Sequence, residues 1–327
     1  MPASSPPASS PQPVAADLVA VLVAVTQGHA RILTTHEGQA LPSGPFELAH
    51  RSLQSGMRAW VETETHHPIG YIEQLYTFAD GDRERREGQR VISVSYLGLT
   101  REGHADGAVW RDWYHYFPWE DQRDGAARKR LSEDAGPALE AWCNAAPDAA
   151  TAQLRRMRID TAFGLQGAGW NEDFVLQRYE LLYEAGLVAE SPHARLPEAS
   201  GTPGAAVPPG PGHRAPAWSG QPMAQDFRRI LATGIARLRA KIKYRPVVFE
   251  LMPDSFTLLQ LQQSVEVLAG RTLHKQNFRR LVEQQALVEE TGAMTQGTSG
   301  RPAKLFRFRD DVLFERAISG SKLPLSR

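Results

Sequence analysis

The sequence predicts an α/β chain (α+β) in two parts: a sheet-bearing N-terminal domain and a smaller helix-turn-helix domain near the C-terminal end. Three observations carry this. The run Leu18-Val19-Ala20-Val21-Leu22-Val23-Ala24-Val25 has the length and β-branched content of a buried strand. Further strand-like runs at 71–78 and 91–99 alternate with segments of helical spacing. The last quarter, 249–308, reads as helix, short turn, basic helix and strand pair.

Taken in order, residues 1–14 are rich in Pro, Ser and Ala and are expected to be a disordered tail. Residues 15–150 are expected to form the first domain. After the apolar strand, Gln27-Gly28-His29 reads as a turn and 30–34 as a second strand. A loop and helix follow over 46–62, with Leu53, Met57, Trp60 and Val61 on one side. Residues 80–90 form a charged loop between the next two strands. Residues 151–189 are expected to be a helical insertion. Residues 190–222 hold 8 Pro and 5 Gly without apolar periodicity, which predicts a linker. A helix over 226–243 leads into the second domain, 223–315, and 316–327 is a tail. Its basic residues Arg228, Arg229, Arg237, Arg239, Lys241 and Lys243 are read as a solvated face, with proximity to DNA as the alternative.

In the second domain Thr257 can cap a helix with Leu258, Leu261, Val265 and Leu268 at helical spacing, and Gly270 can end it in a left-handed conformation. The next helix is basic. Leu273, Phe278, Leu281 and Val282 are expected to face the core, and Lys275, Gln276, Asn277, Arg279 and Arg280 to face out. Strands are expected at 287–290 and 305–308, joined by a Gly/Ser/Thr-rich tip that ends Gly300-Arg301-Pro302-Ala303-Lys304. This order is that of a winged helix-turn-helix. Arg and Lys can read guanine edges, and Asn and Gln can read adenine. Lys275, Gln276 and Asn277 are therefore the base-edge candidates, Arg279 and Arg280 the phosphate clamps, and Arg301 and Lys304 the wing contacts.

The chain of 327 residues has net charge zero, but residues 223–327 carry 18 basic and 10 acidic residues, a net of +8. The remainder carries −8, and a basic C-terminal module is an expected footprint of DNA contact. Cys143 is the only cysteine, so an intrachain disulfide and a cysteine-based zinc site are excluded. That composition, with no apolar run of membrane-spanning length, predicts a cytoplasmic protein without membrane contact. His66-His67 and His115 lack the carboxylate/histidine spacing of a zinc helix, and no metal site is expected.

The N-terminal domain resembles a Nudix fold, an αβα sandwich, through the strand at 18–25, Leu41-Pro42-Ser43-Gly44-Pro45-Phe46, Arg58-Ala59-Trp60-Val61-Glu62-Thr63-Glu64-Thr65 and Tyr71-Ile72-Glu73-Gln74-Leu75-Tyr76-Thr77-Phe78. The Nudix signature runs from a glycine through a glutamate, an Arg-Glu pair, two adjacent glutamates and a glycine; its glutamates hold divalent cations on a pyrophosphate. Started at Gly44, the register puts His50 at the first glutamate, keeps Arg58, replaces its partner by Ala59, keeps Glu62, and puts Thr63 and Thr65 at the next glutamate and the glycine. One carboxylate cannot build that metal site, so no catalytic residue is expected and the pocket is read as catalytically degenerate.

The pairing of this domain with the winged helix resembles the Nudix-related regulators of NAD metabolism, the NrtR/NadQ type. Phe249-Glu250-Leu251-Met252-Pro253, Asn277-Phe278-Arg279-Arg280 and Gly300-Arg301-Pro302-Ala303-Lys304-Leu305-Phe306 carry that likeness. The aromatic block Trp110–Trp119 and the segment around Trp170-Asn171-Glu172-Asp173-Phe174 look more like the NadQ branch. The resemblance implies a homodimeric repressor of NAD synthesis or salvage genes that binds double-stranded operator DNA. It implies an effector nucleotide, ADP-ribose, NAD or ATP, and no required cofactor. Arg58, Glu62, Glu73 and Tyr76 are the effector-binding candidates, although Arg58 and Glu62, four apart, also fit a surface ion pair. The aromatic block can stack on an adenine, but such blocks more commonly build core or dimer surface. Rival readings are a Nudix-type hydrolase of ADP-ribose or another nucleoside diphosphate fused to a DNA-binding domain, a winged helix that binds protein, and an activator in place of a repressor.

Overall fold

The structure, a computed structural model, describes residues 14–47, 51–65, 71–79, 85–86, 89–123, 125–194, 215–244, 247–295 and 302–309. Val14–Thr26 (β1) and His29–Thr35 (β2) form a hairpin about Gln27-Gly28, as the apolar run and the turn residues predicted. Ser43–Pro45 (β3) adds to β1, and Leu53–Thr65 (α1) follows. Tyr71–Phe78 (β4), Arg85–Arg86 (β5), Gln89–Leu99 (β6) and Ala108–Asp112 (β7) complete a sheet of order β4-β6-β1-β2-β7. β1 and β6 run parallel at its centre, Val14↔Arg90 to Val23↔Leu99, and the other pairs are antiparallel.

Because β1 alternates, its two faces belong to two layers. Leu18, Ala20 and Leu22 pack with Met57 and Val61 of α1 and with Leu33, Ile72, Val94 and Tyr96. Val19, Val21 and Val23 face the opposite layer, where a larger core forms. That layer holds a bent helix, Gly125–Arg130 (α2) continuing through a π-turn into Gly136–Asn144 (α3), then Ala149–Phe163 (α4), Val175–Glu184 (α5) and Phe227–Tyr244 (α6). Asp148 caps α4 by accepting from the Thr151 N–H at 2.8 Å. The proline/glycine-rich stretch falls mainly on 195–214, outside the described residues. Residues 215–223 pack on the aromatic turn, the Gln221 N–H donating to the His115 carbonyl at 2.8 Å.

α6 corrects the expectation of a solvated helix. Phe227, Ile230, Leu231, Ala232, Ile235 and Leu238 are buried in the large core. Burial of each of the larger side chains, Phe227, Ile230, Leu231, Ile235 and Leu238, stabilises by about 1.5–3 kcal/mol. At Gly234 the helix backbone comes so close to β1 that a Cβ would lie 2.9 Å from Val21 Cγ1. Arg228 and Arg239 are also buried, at 0% and 1% exposure, because carboxylates and carbonyls of the N-terminal part receive them. Arg228 meets Glu190 and donates to the carbonyls of Tyr116 and Ser219. Arg229 pairs with Glu180, and Lys241 with Glu73 of β4. Arg237 is exposed as expected, and the side chain of Lys243 lies outside the described set.

The aromatic block is core: Trp113, Tyr116, Phe117 and Trp119 are at most 2% exposed. It delivers Glu120 into the interior, where Arg178 of α5 binds it twice (2.5 and 2.8 Å) and Arg239 of α6 once (2.6 Å). Other donors go to carbonyls, Arg178 to Ala162 and Asn171, Arg239 to Leu268, Glu172 and Glu120, and Arg239 also donates to the Tyr114 hydroxyl. Burial opposes charge on Glu120, but the fields and hydrogen bonds of the two guanidiniums outweigh it and hold its pKa below the ordinary 4.5.

Glu120→Ala leaves two guanidiniums buried without their anion, and the expected loss in a urea unfolding titration is about 3–5 kcal/mol. Since the folded pKa of Glu120 is depressed, its contribution is complete above about pH 4.5 and fades as pH falls through the lower folded value. The acid-induced drop in melting temperature is therefore expected to be shallower in Glu120→Ala than in the wild type.

Candidate nucleic-acid interface

After the turn Val247–Leu251, the C-terminal segment is built from Leu258–Ala269 (α7), Lys275–Gln284 (α8), Val288–Met294 (β8) and Lys304–Phe308 (β9). Thr257 caps α7 in a reciprocal capping box with Gln260, and Gly270 ends it at φ 69°, both as the sequence predicted. β8 and β9 pair from Val288↔Phe308 to Met294↔Lys304, so β8 runs four residues further into the wing than expected. Phe256 exchanges two backbone hydrogen bonds with Phe306 (2.9 and 2.8 Å) and anchors the wing at its base. The Phe249 and Phe256 rings lie 4.2 and 4.7 Å from that of Phe308.

The turn between α7 and α8 is held by side chains of α7. The Glu266 carboxylate accepts from the Leu273 N–H at 2.7 Å and from the Gln262 amide at 2.9 Å, and that amide also donates to the Leu273 carbonyl at 3.0 Å. These three bonds set the angle at which α8 leaves. Phe278 and Val282, one turn apart, are its buried residues. Gln276, Asn277 and Arg280 fall on the opposite side of the helix. All five predicted α8 residues, Lys275, Gln276, Asn277, Arg279 and Arg280, are exposed.

Leu281 is not in the core. It is 51% exposed, because the stripe through Phe278 and Val282 turns it outward beside Asn277 and Arg280. Its hydrophobicity points to the core, but the narrow stripe of Phe278 and Val282 leaves it outside. An outward leucine among amide and guanidinium groups can contact a thymine methyl.

On the wing, Lys304 pairs with Glu290 at 2.7 Å and Arg307 with Glu289 at 2.7 Å, all exposed or half-exposed. Exposed pairs of this kind are worth under about 1 kcal/mol, so a phosphate can displace Glu290 from Lys304. Arg301 lies outside the described residues, as do His66, His67 and His50.

The effector candidates do not form one cluster. Arg58 (half-buried) and Glu62 (exposed) sit on α1, over one face of the sheet. Glu73 is bonded to Lys241 of α6, over the other face. Tyr76 is 59% exposed on the edge strand β4, its ring 5.0 Å from that of Phe78. Ala59 and Thr63 are exposed, and the Thr63 hydroxyl donates to the Ala59 carbonyl at 2.7 Å. Among the described residues no group of three or more His, Cys, Asp or Glu side chains could hold a metal ion. No described helix is long and apolar enough to cross a membrane.

The C-terminal geometry has a counterpart in known proteins. Residues 248–308 match the NrtR DNA-binding winged helix domain. The whole architecture is similar to that of Shewanella oneidensis NrtR, in a crystal structure with a 27mer DNA, at a TM-score of 0.51 and 19% identity over 90% of this chain and 94% of that one. The crystal structure of that protein without DNA gives 0.51 and 18%, over 91% and 95%. A mixed α/β sheet domain followed by a winged helix, the arrangement of that NrtR, is therefore the fold. In sequence, the chain is 38% identical over 86 residues to the ADPR responsive transcriptional repressor NtrR of Acinetobacter baylyi. That match spans 26% of this chain and 34%, about a third, of the relative.

Removing the Glu266 carboxylate is predicted to loosen the exit angle of α8 while leaving its outward residues unchanged. Glu266→Ala is expected to cost about 1–3 kcal/mol in an unfolding titration, from the Leu273 N–H left without its acceptor, and to weaken binding to duplex DNA measured by anisotropy.

Proposed function

We propose that this chain is a transcriptional repressor of NAD synthesis or salvage genes, acting in the cytoplasm as a homodimer on palindromic operator DNA. The observation that carries it is the outward face of α8, Gln276, Asn277, Arg280 and Leu281, set by Phe278 and Val282 within a segment that matches an NrtR DNA-binding domain. Gln276 and Asn277 supply amides for adenine, Lys275 a donor for guanine, and Leu281 a contact for the thymine methyl. Arg279, Arg280, Lys304 and Arg301 are assigned to phosphates. In a dimer the two α8 helices would enter major grooves about one turn, roughly 34 Å, apart.

The N-terminal domain is proposed to sense ADP-ribose, with NAD and ATP as the alternatives. The name of the Acinetobacter baylyi relative supports this choice. Arg58 and Glu62 on α1 are the proposed effector contacts. Glu73 and Tyr76 belong to the other side of the sheet, where Glu73 ties β4 to α6. A ligand that alters β4 would thus act on the helix that carries the winged helix. The ligand shifts operator occupancy only by its differential affinity for the two states. Ala59 and Thr63, in place of carboxylates, support sensing without hydrolysis.

Fluorescence anisotropy on promoter duplexes of NAD synthesis genes, against an unrelated duplex, tests the reading. Selective binding that ADP-ribose alters is expected, and equal binding to all duplexes overturns it. Asn277→Ala is expected to lose about 1–3 kcal/mol of operator preference. Arg280→Ala is expected to weaken operator and random DNA alike and to reduce the slope of log K against log salt by about 0.9. Steady turnover of ADP-ribose with Mg²⁺ would establish the hydrolase in place of the sensor.

A further inference from the structure

The exposed side of α4 has no role in either domain's site. Leu154 and Met157 are 51% and 58% exposed there, and Leu165, just past the helix end, is 39% exposed. Thr161 and Gln153 are exposed beside them, and Gln153, Arg156, Met157, Asp160 and Thr161 line one shallow depression. The helix is firmly placed from beneath. Ile159, Ala162 and Phe163 are buried, Arg155 lies over Trp142 at 4.3 Å, and Arg158 pairs with Glu184 at 2.7 Å. A rigid helix thus presents a row of large apolar side chains to solvent, and such a patch marks an interaction surface.

The charges beside that row identify the occupant. Arg156 and Asp160 are four residues apart, so they lie on one flank of the row, one turn above the other. Consider a second α4 laid antiparallel across the row, related by a two-fold axis in the interface and perpendicular to the helices. That operation keeps each flank on its own side and reverses direction along the helix. With the axis level with residue 158, Arg156 of each protomer meets Asp160 of the other, and the two Met157 side chains meet beside the axis. Leu154 then lies beside Thr161 of its mate. Self-matching of this kind is what a two-fold interface requires, residue i meeting j while j meets i. Glu140 of α3 also holds Arg156 at 2.7 Å, so in this interface the guanidinium is shared between Glu140 and the Asp160 of the second copy.

We propose that the α4 face, centred on Met157 and flanked by Arg156 and Asp160, is a two-fold interface with a second copy of this chain. The proposal rests on the dimeric part of the reading above and gives that dimer a location; it needs nothing from the winged helix.

Sedimentation velocity of the full chain over a concentration series, with circular dichroism melting as the folding control, tests it. The wild type is expected to dimerise. Met157→Glu and Asp160→Arg are each expected to raise the dimer dissociation constant at least about tenfold, the second because it sets arginine against arginine across the axis. A charge swap separates this geometry from general surface damage. In a Glu140→Gln background, which removes the carboxylate paired with position 156, Asp160→Arg alone is expected to dissociate the dimer, and Arg156→Asp together with Asp160→Arg to restore it. A dimer that withstands Met157→Glu and Asp160→Arg overturns the interface while leaving the dimeric reading intact. A wild type that stays monomeric at every concentration overturns both. Operator anisotropy on the same samples reports the DNA reading separately. Retained dimerisation with loss of some other protein's binding would assign the face to that protein instead.

Discussion

The carboxylate of Glu120, shared by Arg178 and Arg239, is the constraint on which the arrangement of the molecule depends. The three groups come from three separate segments of the chain: the aromatic turn after the sheet, α5, and α6, the helix that leads to the winged helix. Two cations on one anion in a dry interior leave a local positive charge, which is tolerable because carbonyls of Ala162, Asn171, Leu268 and Glu172 accept the other N–H groups. Leu268 lies in the last turn of α7. The same site therefore fixes where α7 ends relative to the sheet. Around it, the Tyr114 hydroxyl donates to the Val267 carbonyl at 2.6 Å, and the Gln122 N–H to the Gly270 carbonyl at 2.7 Å. A Cβ at Gly270 would lie 2.3 Å from the Glu120 carbonyl oxygen. The turn that launches α8 is thus locked against the N-terminal domain by contacts that leave no room for sliding.

This lock changes the meaning of the charge map. The C-terminal excess of +8 reads as a DNA footprint when the chain is unrolled. Once folded, Arg228, Arg229, Arg239, Lys241 and Arg271 are paired with Glu190, Glu180, Glu120, Glu73 and Glu172 of the preceding part. Part of the segregation is complementarity inside one chain. What remains for the proposed DNA contact is concentrated on α8 and the wing, where Lys275, Arg279 and Arg280 are exposed and Lys304 is held only by the exposed Glu290. The basic surface proposed to attract DNA is accordingly more local than the sequence totals imply, and α6, the most basic of the described helices, contributes little of it.

The proposed recognition surface follows from two small sets of contacts. Glu266 and Gln262 hold the turn, and Phe278 with Val282 sets the rotation of α8. Neither set touches the outward residues, so the pattern of amides and guanidiniums can vary without disturbing the scaffold. The same separation appears in α4, where Ile159, Ala162 and Phe163 anchor the helix and leave Leu154 and Met157 outside.

Local physics made much of this legible in the sequence. Alternation and apolar runs located β1, β2, β4 and β6. Thr257 and Gly270 located the ends of α7, because a cap and a left-handed stop are properties of a few adjacent residues. The exposure of Lys275, Gln276, Asn277, Arg279 and Arg280 was legible because polar residues at helical spacing around one phenylalanine admit only one outward face. The fate of Leu281, the burial of Arg228 and Arg239, and the separation of Arg58 and Glu62 from Glu73 were not legible. Each depends on which partner approaches from a distant part of the chain, and hydrophobicity or charge alone does not name that partner. An arginine is a surface residue until a buried carboxylate meets it. Glu120 and Arg239 lie 119 positions apart, and only the tertiary structure brings them together.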